Sequence, residues 1–89
     1  MARRVVFSDH AWSDYLRWQE IDRRVLDRVN DLIAAAARDP FAGIGKPEAL
    51  RGDWKGCWSR RIDECHRLVY SVHPGDLVVL QCRYHYGDR

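Results

Sequence analysis

The chain has 89 residues, enough for one domain spanning residues 1–89 but close to the lower size at which a hydrophobic core alone stabilises a fold. Hydrophobic residues make up 46% of it and charged residues 31%, a composition that is typical of a globular domain and argues against disorder. The net charge of +2 is too small to indicate nucleic-acid binding by itself, so only the arrangement of the cations could support that function.

The cysteines and the apolar runs bear on the compartment. Cys57, Cys65 and Cys82 are odd in number and lack the Cys-x-x-Cys spacing of a zinc knuckle or a redox pair, which favours a reduced, cytoplasmic protein without a metal or other cofactor. The apolar run Val5–Phe7 is too short for the core of a signal peptide. No run approaches the roughly 18 apolar residues of a membrane span. The sequence therefore predicts a soluble protein that has no cleavable export signal and no membrane contact.

The N-terminal half predicts one strand and two helices. Val5–Phe7 is a β-branched and aromatic run typical of a strand, and Ser8 and Asp9 are good N-cap residues for a helix after it. Apolar residues then recur at spacings of three and four, as one buried helical stripe requires: Ala11, Trp12, Tyr15, Leu16 and Trp18. Asp22 can begin a second helix, which should end before Pro40. Its stripe has six members: Val25, Leu26, Val29, Leu32, Ile33 and Ala36.

The C-terminal half predicts a long connection and then a sheet. Phe41–Gly56 contains four glycines and a proline and has no clear period, which indicates a connection with one short strand near Ala49 and Leu50. Three strand-like runs follow at residues 57–62, 66–72 and 77–86, separated by turn signals. One strand, two helices and then several strands predict an α+β fold in which the helical hairpin packs on one face of an antiparallel sheet.

Alternation along the last three strands separates an apolar face from a cationic one. The apolar set is assigned to the core: Leu68, Tyr70, Val72, Val78, Leu80, Cys82 and Tyr84. The opposite face carries polar side chains: Ser59, Arg61, Arg67, Ser71, Gln81, Arg83 and His85. Pairing of the apolar faces places Arg67 opposite or diagonal to Arg61 and Arg83, where like charges repel. A bound polyanion would relieve that repulsion, and phosphate suits clustered guanidinium groups. The alternative is a solvated face whose arginines pair with Asp63 and Glu64.

Four strings, in order along the chain, resemble a known family: "DYLRWQ", "DPFAGIGKPEAL", "WSRRIDECHRLVY" and "CRYHY". They are similar to the YoeB/Txe toxins of bacterial type II toxin-antitoxin systems, which are members of the RelE-like RNase superfamily. The resemblance runs from about Phe7 to Tyr86. It implies a RelE/YoeB-like fold and a toxin that cuts mRNA in the ribosomal A site and is neutralised by a YefM-like antitoxin. It also allows for a homodimer.

The resemblance further implies which residues form the site. The family's catalytic residues fall on four positions: Glu48, Arg67, His85 and Tyr86. Cations that would bind the substrate lie beside them: Lys46, Arg51, Arg61 and, on the cationic face, Arg83. Arg51 stands where a lysine occurs in the family, which keeps the charge but alters its geometry. Gly87–Arg89 extend the chain past the tyrosine at which the family commonly ends.

These residue types suit cleavage of RNA without a metal. RNA carries its own nucleophile, so the reaction needs a base for the 2′-hydroxyl proton, an acid for the departing 5′-oxygen and cations for the charge at phosphorus. We assign Glu48 as the base, His85 as the acid and Arg67 as the phosphate ligand. Tyr86 would stack on or orient the nucleotide. A plain salt-bridge role for Glu48 and a place in the core for Tyr86 are the alternatives.

Two other functions are compatible with parts of this pattern. A ParE-like gyrase-inhibiting toxin would share the hairpin and the sheet without needing Glu48, Arg67 and His85 together. A non-catalytic RNA-binding module would keep the arginines without a base and an acid. The remaining histidines are interpreted as structural or solvated: His10, His66 and His73. The co-occurrence of base, cation and acid favours the endoribonuclease.

Overall fold

The structure, a computed structural model, describes residues 2–84, which form two α-helices and a five-stranded sheet. In chain order the elements are β1 (Arg4–Phe7), α1 (Asp9–Ile21), α2 (Arg23–Arg38), β2 (Glu48–Ala49), a 3-10 turn (Gly52–Trp54), β3 (Cys57–Arg61), β4 (Arg67–His73) and β5 (Asp76–Gln81). Across these described residues, neither helix combines the length and the apolar character needed to cross a membrane. The predicted α+β class, helical hairpin and short strand within the connection are confirmed.

The sheet is mixed, with the order β1-β5-β4-β3-β2. The strands from β2 to β5 pair antiparallel, as predicted, whereas β1 joins the edge of the sheet parallel to β5. Two parallel strands need a long connection between them, and here the two helices and three strands that separate β1 from β5 supply it. The helices pack on one face of this sheet, in contact with β1, β4 and β5.

The second helix follows its sequence pattern closely. Asp22 caps α2 by accepting hydrogen bonds from the backbone N–H groups of Arg24 and Val25, at 3.1 and 3.2 Å. The helix ends at Arg38, before Pro40. Five of the six predicted stripe residues are buried: Leu26, Val29, Leu32, Ile33 and Ala36. The stripe prediction for α2 is therefore confirmed, with Val25 partly buried at its margin.

The first helix follows its pattern only in part. Trp18 is buried, but Trp12 and Leu16 are 48% and 41% exposed. The ring of Trp12 lies beside the sheet, in contact with the rings of Phe7 and Tyr15 at centroid distances of 5.6 and 5.7 Å. Assigning Trp12 and Leu16 to the core was wrong, because the buried stripe of α1 is narrower than the run of apolar residues in its sequence.

Ser8 joins the start of α1 to β5. Its Oγ accepts a hydrogen bond from the Ala11 N–H and donates one to the Leu80 carbonyl, both at 3.1 Å. We expect Ser8→Ala to lower the free energy of unfolding by about 1–2 kcal/mol, because an N-cap and a tertiary hydrogen bond are lost together. Ser13→Ala, at an exposed position of the same helix, should change it by less than about 0.5 kcal/mol. Urea denaturation measures both values, and equal stability of the two variants would contradict this role of Ser8.

The buried face of β5 differs from the prediction. Leu77 and Val79 are fully buried in the core, whereas Val78 and Leu80 are only partly buried. The assignment of Val78 and Leu80 to the core is therefore wrong. Cys82, just past the end of the strand, is fully buried as predicted.

A bulge explains why the alternation changes along β5. Tyr70 on β4 pairs with Val79, but the adjacent Val69 pairs with Gln81, so Leu80 is an extra residue between two paired positions. One extra residue reverses which side chains point to which face of the sheet. The prediction assumed unbroken alternation and counted back along the strand from Cys82. It therefore assigned the residues of β5 up to the bulge to the wrong face of the sheet.

Arg60, on the helix side of β3, is fully buried and was not singled out from the sequence. Its Nε donates to the Tyr70 hydroxyl at 3.0 Å, and that hydroxyl donates to the Pro40 carbonyl at 2.6 Å. Its terminal nitrogens donate to three backbone carbonyls at 2.6, 2.9 and 2.9 Å: those of Asp39, Ala42 and Ile44. Burial raises the pKa of the Tyr70 hydroxyl, and the hydrogen bond and charge of Arg60 act against that rise. This network holds residues 39–44 against the sheet.

Candidate active site

One row of cross-strand neighbours crosses the face of the sheet that lies away from the helices. Glu48 on β2 pairs with Ser59 on β3, Ser59 pairs with Val69 on β4, and Val69 pairs with Gln81 on β5. Directly paired residues send their side chains to the same face of a sheet. Glu48, at the edge, is exposed, while the other three are buried. The candidate base therefore lies at the open end of this row.

The neighbouring row on the same face is cationic. Arg61 on β3 pairs directly with Arg67 on β4, as the sequence predicted. Within residues 2–84 neither guanidinium has a carboxylate at salt-bridge distance. Asp63, one of the alternative partners, accepts instead from the backbone N–H groups of Cys65 and His66, at 2.8 and 2.7 Å. Two like-charged residues thus pair across β3 and β4 with no carboxylate of the described residues to compensate them, which is unfavourable until an anion binds between them.

The connection before β2 reaches the site through a close approach at Gly45. With φ +84, Gly45 adopts a left-handed conformation, and a Cβ built there would lie 2.6 Å from the Leu32 side chain. Its carbonyl accepts a hydrogen bond from the Arg61 N–H at 2.7 Å. A side chain at this position would force the connection away from β3. The glycine therefore sets the path along which the chain arrives at Glu48.

Two further predicted cations flank Glu48 along the chain. Lys46 precedes it and is exposed, with the left-handed φ of +52, which is uncommon for a residue with a side chain. Arg51 follows β2, is also exposed, and lines a shallow cleft together with Glu48. Lys46 and Arg51 thus lie near the candidate base because they are close to it in sequence. Arg61 and Arg67 lie near it because the strands that carry them pair in the same sheet.

Two side chains of α1 hold the backbone where it leaves β5. The Asp14 carboxylate, which is almost fully buried, accepts from the Cys82 N–H at 3.0 Å. The Trp18 indole N–H donates to the Cys82 carbonyl at 2.7 Å. Sequence reasoning did not identify Asp14, because the periodicity of a buried helix face counts only apolar residues.

Two contacts from β4 and the turn before it hold the next residues. His66 Nδ1 accepts from the Tyr84 N–H at 2.6 Å, and the Arg67 N–H donates to the Tyr84 carbonyl at 3.0 Å. Of the two interpretations offered for His66, structural or solvated, the contact with Tyr84 supports the structural one. His85 and Tyr86, the predicted acid and nucleotide-contacting residue, lie outside the described residues.

Tyr84 and Arg83 differ from their sequence assignments. Tyr84 was placed in the core, but it is 41% exposed and has a φ of +64. The guanidinium of Arg83 lies 4.8 Å from the centre of the Tyr84 ring and donates to the Tyr84 hydroxyl at 3.1 Å. The assignment of Tyr84 to the core was therefore wrong, and Arg83 has an aromatic contact that the strand pattern did not indicate.

The arrangement combines a proton acceptor with paired phosphate ligands. The exposed carboxylate of Glu48 lies on β2, and two arginines of the neighbouring row lie one and two strands away, Arg61 on β3 and its direct partner Arg67 on β4. Guanidinium groups stabilise the negative charge that develops on a phosphate oxygen, and a carboxylate can take a hydroxyl proton. In the described part of the chain, no group of three or more His, Cys, Asp or Glu side chains is placed to hold a metal ion.

Comparison with known proteins gives one consistent family. The family described as the YoeB-like toxin of bacterial type II toxin-antitoxin systems matches residues 7–86. Toxin YoeB of Streptomyces coelicolor is 58% identical, over 93% of this chain and 99% of that protein. A solved YoeB/ParE toxin from Agrobacterium tumefaciens is 50% identical with a TM-score of 0.91, over 93% of this chain and 99% of that one. Staphylococcus aureus YoeB is 37% identical, over 97% of this chain and 100% of that one. It has been solved as a dimer, with a TM-score of 0.88, and in a heterotetramer with YefM, with a TM-score of 0.86.

Proposed function

Because this chain belongs to the YoeB-like toxin family of bacterial type II toxin-antitoxin systems, we propose that it is an endoribonuclease that cuts mRNA in the ribosomal A site and so inhibits translation. The observation that supports this most directly is the position of Glu48 beside the pair of Arg61 and Arg67, which has no carboxylate of residues 2–84 at salt-bridge distance, on the face of the sheet away from the helices. A scaffold for binding alone would need the cations but no carboxylate among them.

The proposed reaction uses the 2′-hydroxyl of the RNA as its nucleophile. Glu48 takes the proton of that hydroxyl, and the 2′-oxygen attacks the adjacent phosphorus. Arg67 and Arg61 bind the non-bridging oxygens, where negative charge increases in the transition state. His85 gives a proton to the departing 5′-oxygen, and Tyr86 orients the nucleotide. The products are a 2′,3′-cyclic phosphate and a 5′-hydroxyl, and no metal or other cofactor takes part.

Dependence on the ribosome follows from the small number of cations at the site. Lys46, Arg51, Arg61 and Arg67 could together neutralise only a few phosphates, and the affinity of a protein for RNA backbone rises with the number of phosphates neutralised. Weak binding of RNA alone would leave cleavage inefficient unless another surface holds the message in place. The ribosomal A site is proposed to supply that surface, which also places the protein in the cytoplasm.

The same cationic face is proposed to bind an antitoxin. Staphylococcus aureus YoeB has been solved in complex with YefM and also as a dimer. We propose a YefM-like antitoxin for this chain, whose acidic side chains would neutralise Arg61 and Arg67 and cover Glu48 by folding on contact. A homodimer is proposed on the same grounds.

The growth of cells that express the protein tests this function. Wild-type protein expressed alone should arrest growth, and co-expression of the adjacent small open reading frame should restore it. Arg67→Ala should relieve the arrest because one of the two phosphate ligands is lost. Arg24→Ala, an exposed arginine on α2, should arrest growth like the wild type.

Primer extension on mRNA bound to purified ribosomes gives the matching biochemical result. The wild-type protein should create new 5′ ends within the A-site codon, and the purified complex with the antitoxin should create none. Inhibited DNA supercoiling with intact message would instead support a gyrase inhibitor. Harmless accumulation of folded wild-type protein in translating cells would favour a non-catalytic RNA-binding module.

A further inference from the structure

The hydroxyl of Ser59 has no hydrogen-bond partner although it is fully buried. Among the buried side-chain nitrogen and oxygen atoms of residues 2–84, Ser59 Oγ alone lacks one. A buried hydroxyl without a partner destabilises the fold, since it loses its hydrogen bonds to water and gains none in return. An alanine at this position would avoid that penalty. Stability of the fold therefore does not explain a serine here.

The position of Ser59 suggests what the hydroxyl could bind. Ser59 lies directly across from Glu48 and two residues before Arg61 on the same face, between the candidate base and the candidate phosphate ligands. Cβ atoms of direct cross-strand partners are about 4.5–5.5 Å apart, a distance that a glutamate side chain spans by changing rotamer. The Glu48 side chain is exposed and has no hydrogen bond or salt bridge to another residue within 2–84. A buried hydroxyl without an acceptor thus lies directly across the strands from a carboxylate that no donor of residues 2–84 contacts.

We infer that Ser59 is a positioning residue for Glu48. When substrate covers the site, the Ser59 hydroxyl donates to one carboxylate oxygen of Glu48 and leaves the other oxygen to take the 2′-hydroxyl proton. An exposed glutamate samples many rotamers, and holding it in one of them places the proton acceptor in line with its target before the reaction begins. This inference rests on the nuclease function proposed above.

The neighbouring polar residue of the row does not offer the same role. Gln81, on the far side of Val69, is buried, and its side-chain amide donates to the Arg83 carbonyl at 3.3 Å. Two strands separate it from β2. In the described part of the sheet, Ser59 is therefore the buried polar side chain placed to reach Glu48 directly.

Ser59→Ala tests the inference by separating stability from rate. The variant should melt at the same temperature as the wild type or higher, because the penalty of the buried hydroxyl is removed. Its single-turnover rate of message cleavage should fall about 10-fold, as expected for losing a hydrogen bond to a charged catalytic group, while its affinity for ribosomes stays unchanged. A merely structural serine would not change the rate and the stability in opposite directions.

A matched control lies on the same face of the sheet. Ser71 is on β4, and its Oγ lies 2.9 Å from His73 Nε2. Ser71→Ala makes the same chemical change at a position away from Glu48, and it should cleave at the wild-type rate. Ser59→Cys, which is nearly the same size but a weaker donor, should be slowed like Ser59→Ala and guards against a packing defect specific to alanine.

A double-mutant cycle with Glu48→Gln decides whether Ser59 acts through the base. If it does, adding Ser59→Ala to Glu48→Gln should slow cleavage no further, because no proton acceptor remains to be positioned. Fully additive losses, or a Ser59→Ala variant with the wild-type rate, would overturn the inference while leaving the nuclease function intact. A wild-type protein that fails to cleave ribosome-bound mRNA would instead overturn the proposed function, and the inference with it.

Discussion

Glu48→Gln is expected to slow single-turnover cleavage of ribosome-bound mRNA by about 10²- to 10⁴-fold, with little change in affinity for the ribosome. Glutamine keeps the size of the side chain and its ability to accept a hydrogen bond, but it cannot take up the 2′-hydroxyl proton. The position is exposed at the edge of the sheet, so the substitution should leave the fold unchanged. The loss should therefore appear in the rate constant for chemistry and not in binding.

Glu64→Gln is the matched control for this prediction. Glu64 is exposed in the turn between β3 and β4, close in sequence to Arg61 and Arg67, and it has no assigned role in the chemistry. Rapid-quench measurement followed by primer extension gives both rate constants. A Glu48→Gln protein that cleaves as fast as Glu64→Gln would remove Glu48 from the mechanism.

His85→Ala should cause a loss in the same range, because proton transfer to the 5′-oxygen and proton removal from the 2′-hydroxyl contribute to one transition state. For the same reason the Glu48→Gln/His85→Ala double variant should be little slower than the slower single variant. The Glu64→Gln/His85→Ala variant should match His85→Ala alone.

Arg60→Ala is expected to lower the free energy of unfolding by about 3–5 kcal/mol. The substitution removes the donors of four hydrogen bonds, three of them to backbone carbonyls of residues 39–44 and one to the Tyr70 hydroxyl. Carbonyl groups that stay buried without a donor are costly, and the missing side chain leaves a cavity in addition. A domain of this size has a total stability of the same order, so the variant should be close to unfolding at 37 °C.

Arg38→Ala provides the comparison for Arg60→Ala. Arg38 is exposed in the last turn of α2, where a cation interacts favourably with the helix dipole, so its loss should cost less than about 1 kcal/mol. Arg60→Lys should recover only part of the stability, since an ammonium cannot reproduce the planar fork of a guanidinium. Urea denaturation of all three variants measures this order. A loss at Arg60 no larger than at Arg38 would show that the network does not hold the connection.

Local sequence patterns predicted an element correctly where a single stripe of its side chains packs on the sheet. The apolar spacing of α2 and its Asp22 cap predicted both the helix and its buried face, because a single stripe of that helix meets the sheet. The same pattern overestimated the buried face of α1, where Trp12 and Leu16 stay exposed. Periodicity shows which residues of a helix can be buried. How much of the helix the sheet covers decides which of those residues are in fact buried.

The pairing of the strands decides which residues are cross-strand partners and which face of the sheet each one occupies. Alternation along a single strand does not show this. Arg67 was predicted to lie opposite or diagonal to Arg61 because that register keeps the apolar faces of the strands together, and the two residues are direct partners. The inner face of β5 was inverted because a bulge at Leu80 leaves no clear signal in the sequence. One inserted residue changes the face of every side chain on one side of it, so the error extended over Val78 as well.

The sequence by itself determined the fold class, the family and the residue types of the candidate site, because the strings that carry Glu48, Arg61 and Arg67 are local and contiguous. Only the tertiary structure showed that Arg60 turns inward to hold the connection, that Asp14 and Trp18 hold the backbone at Cys82, and that the buried hydroxyl of Ser59 faces Glu48. These contacts join residues from 11 to 68 positions apart in the chain. Whether a polar side chain finds a partner depends on which distant backbone or side chain the fold places beside it, and no local pattern encodes that.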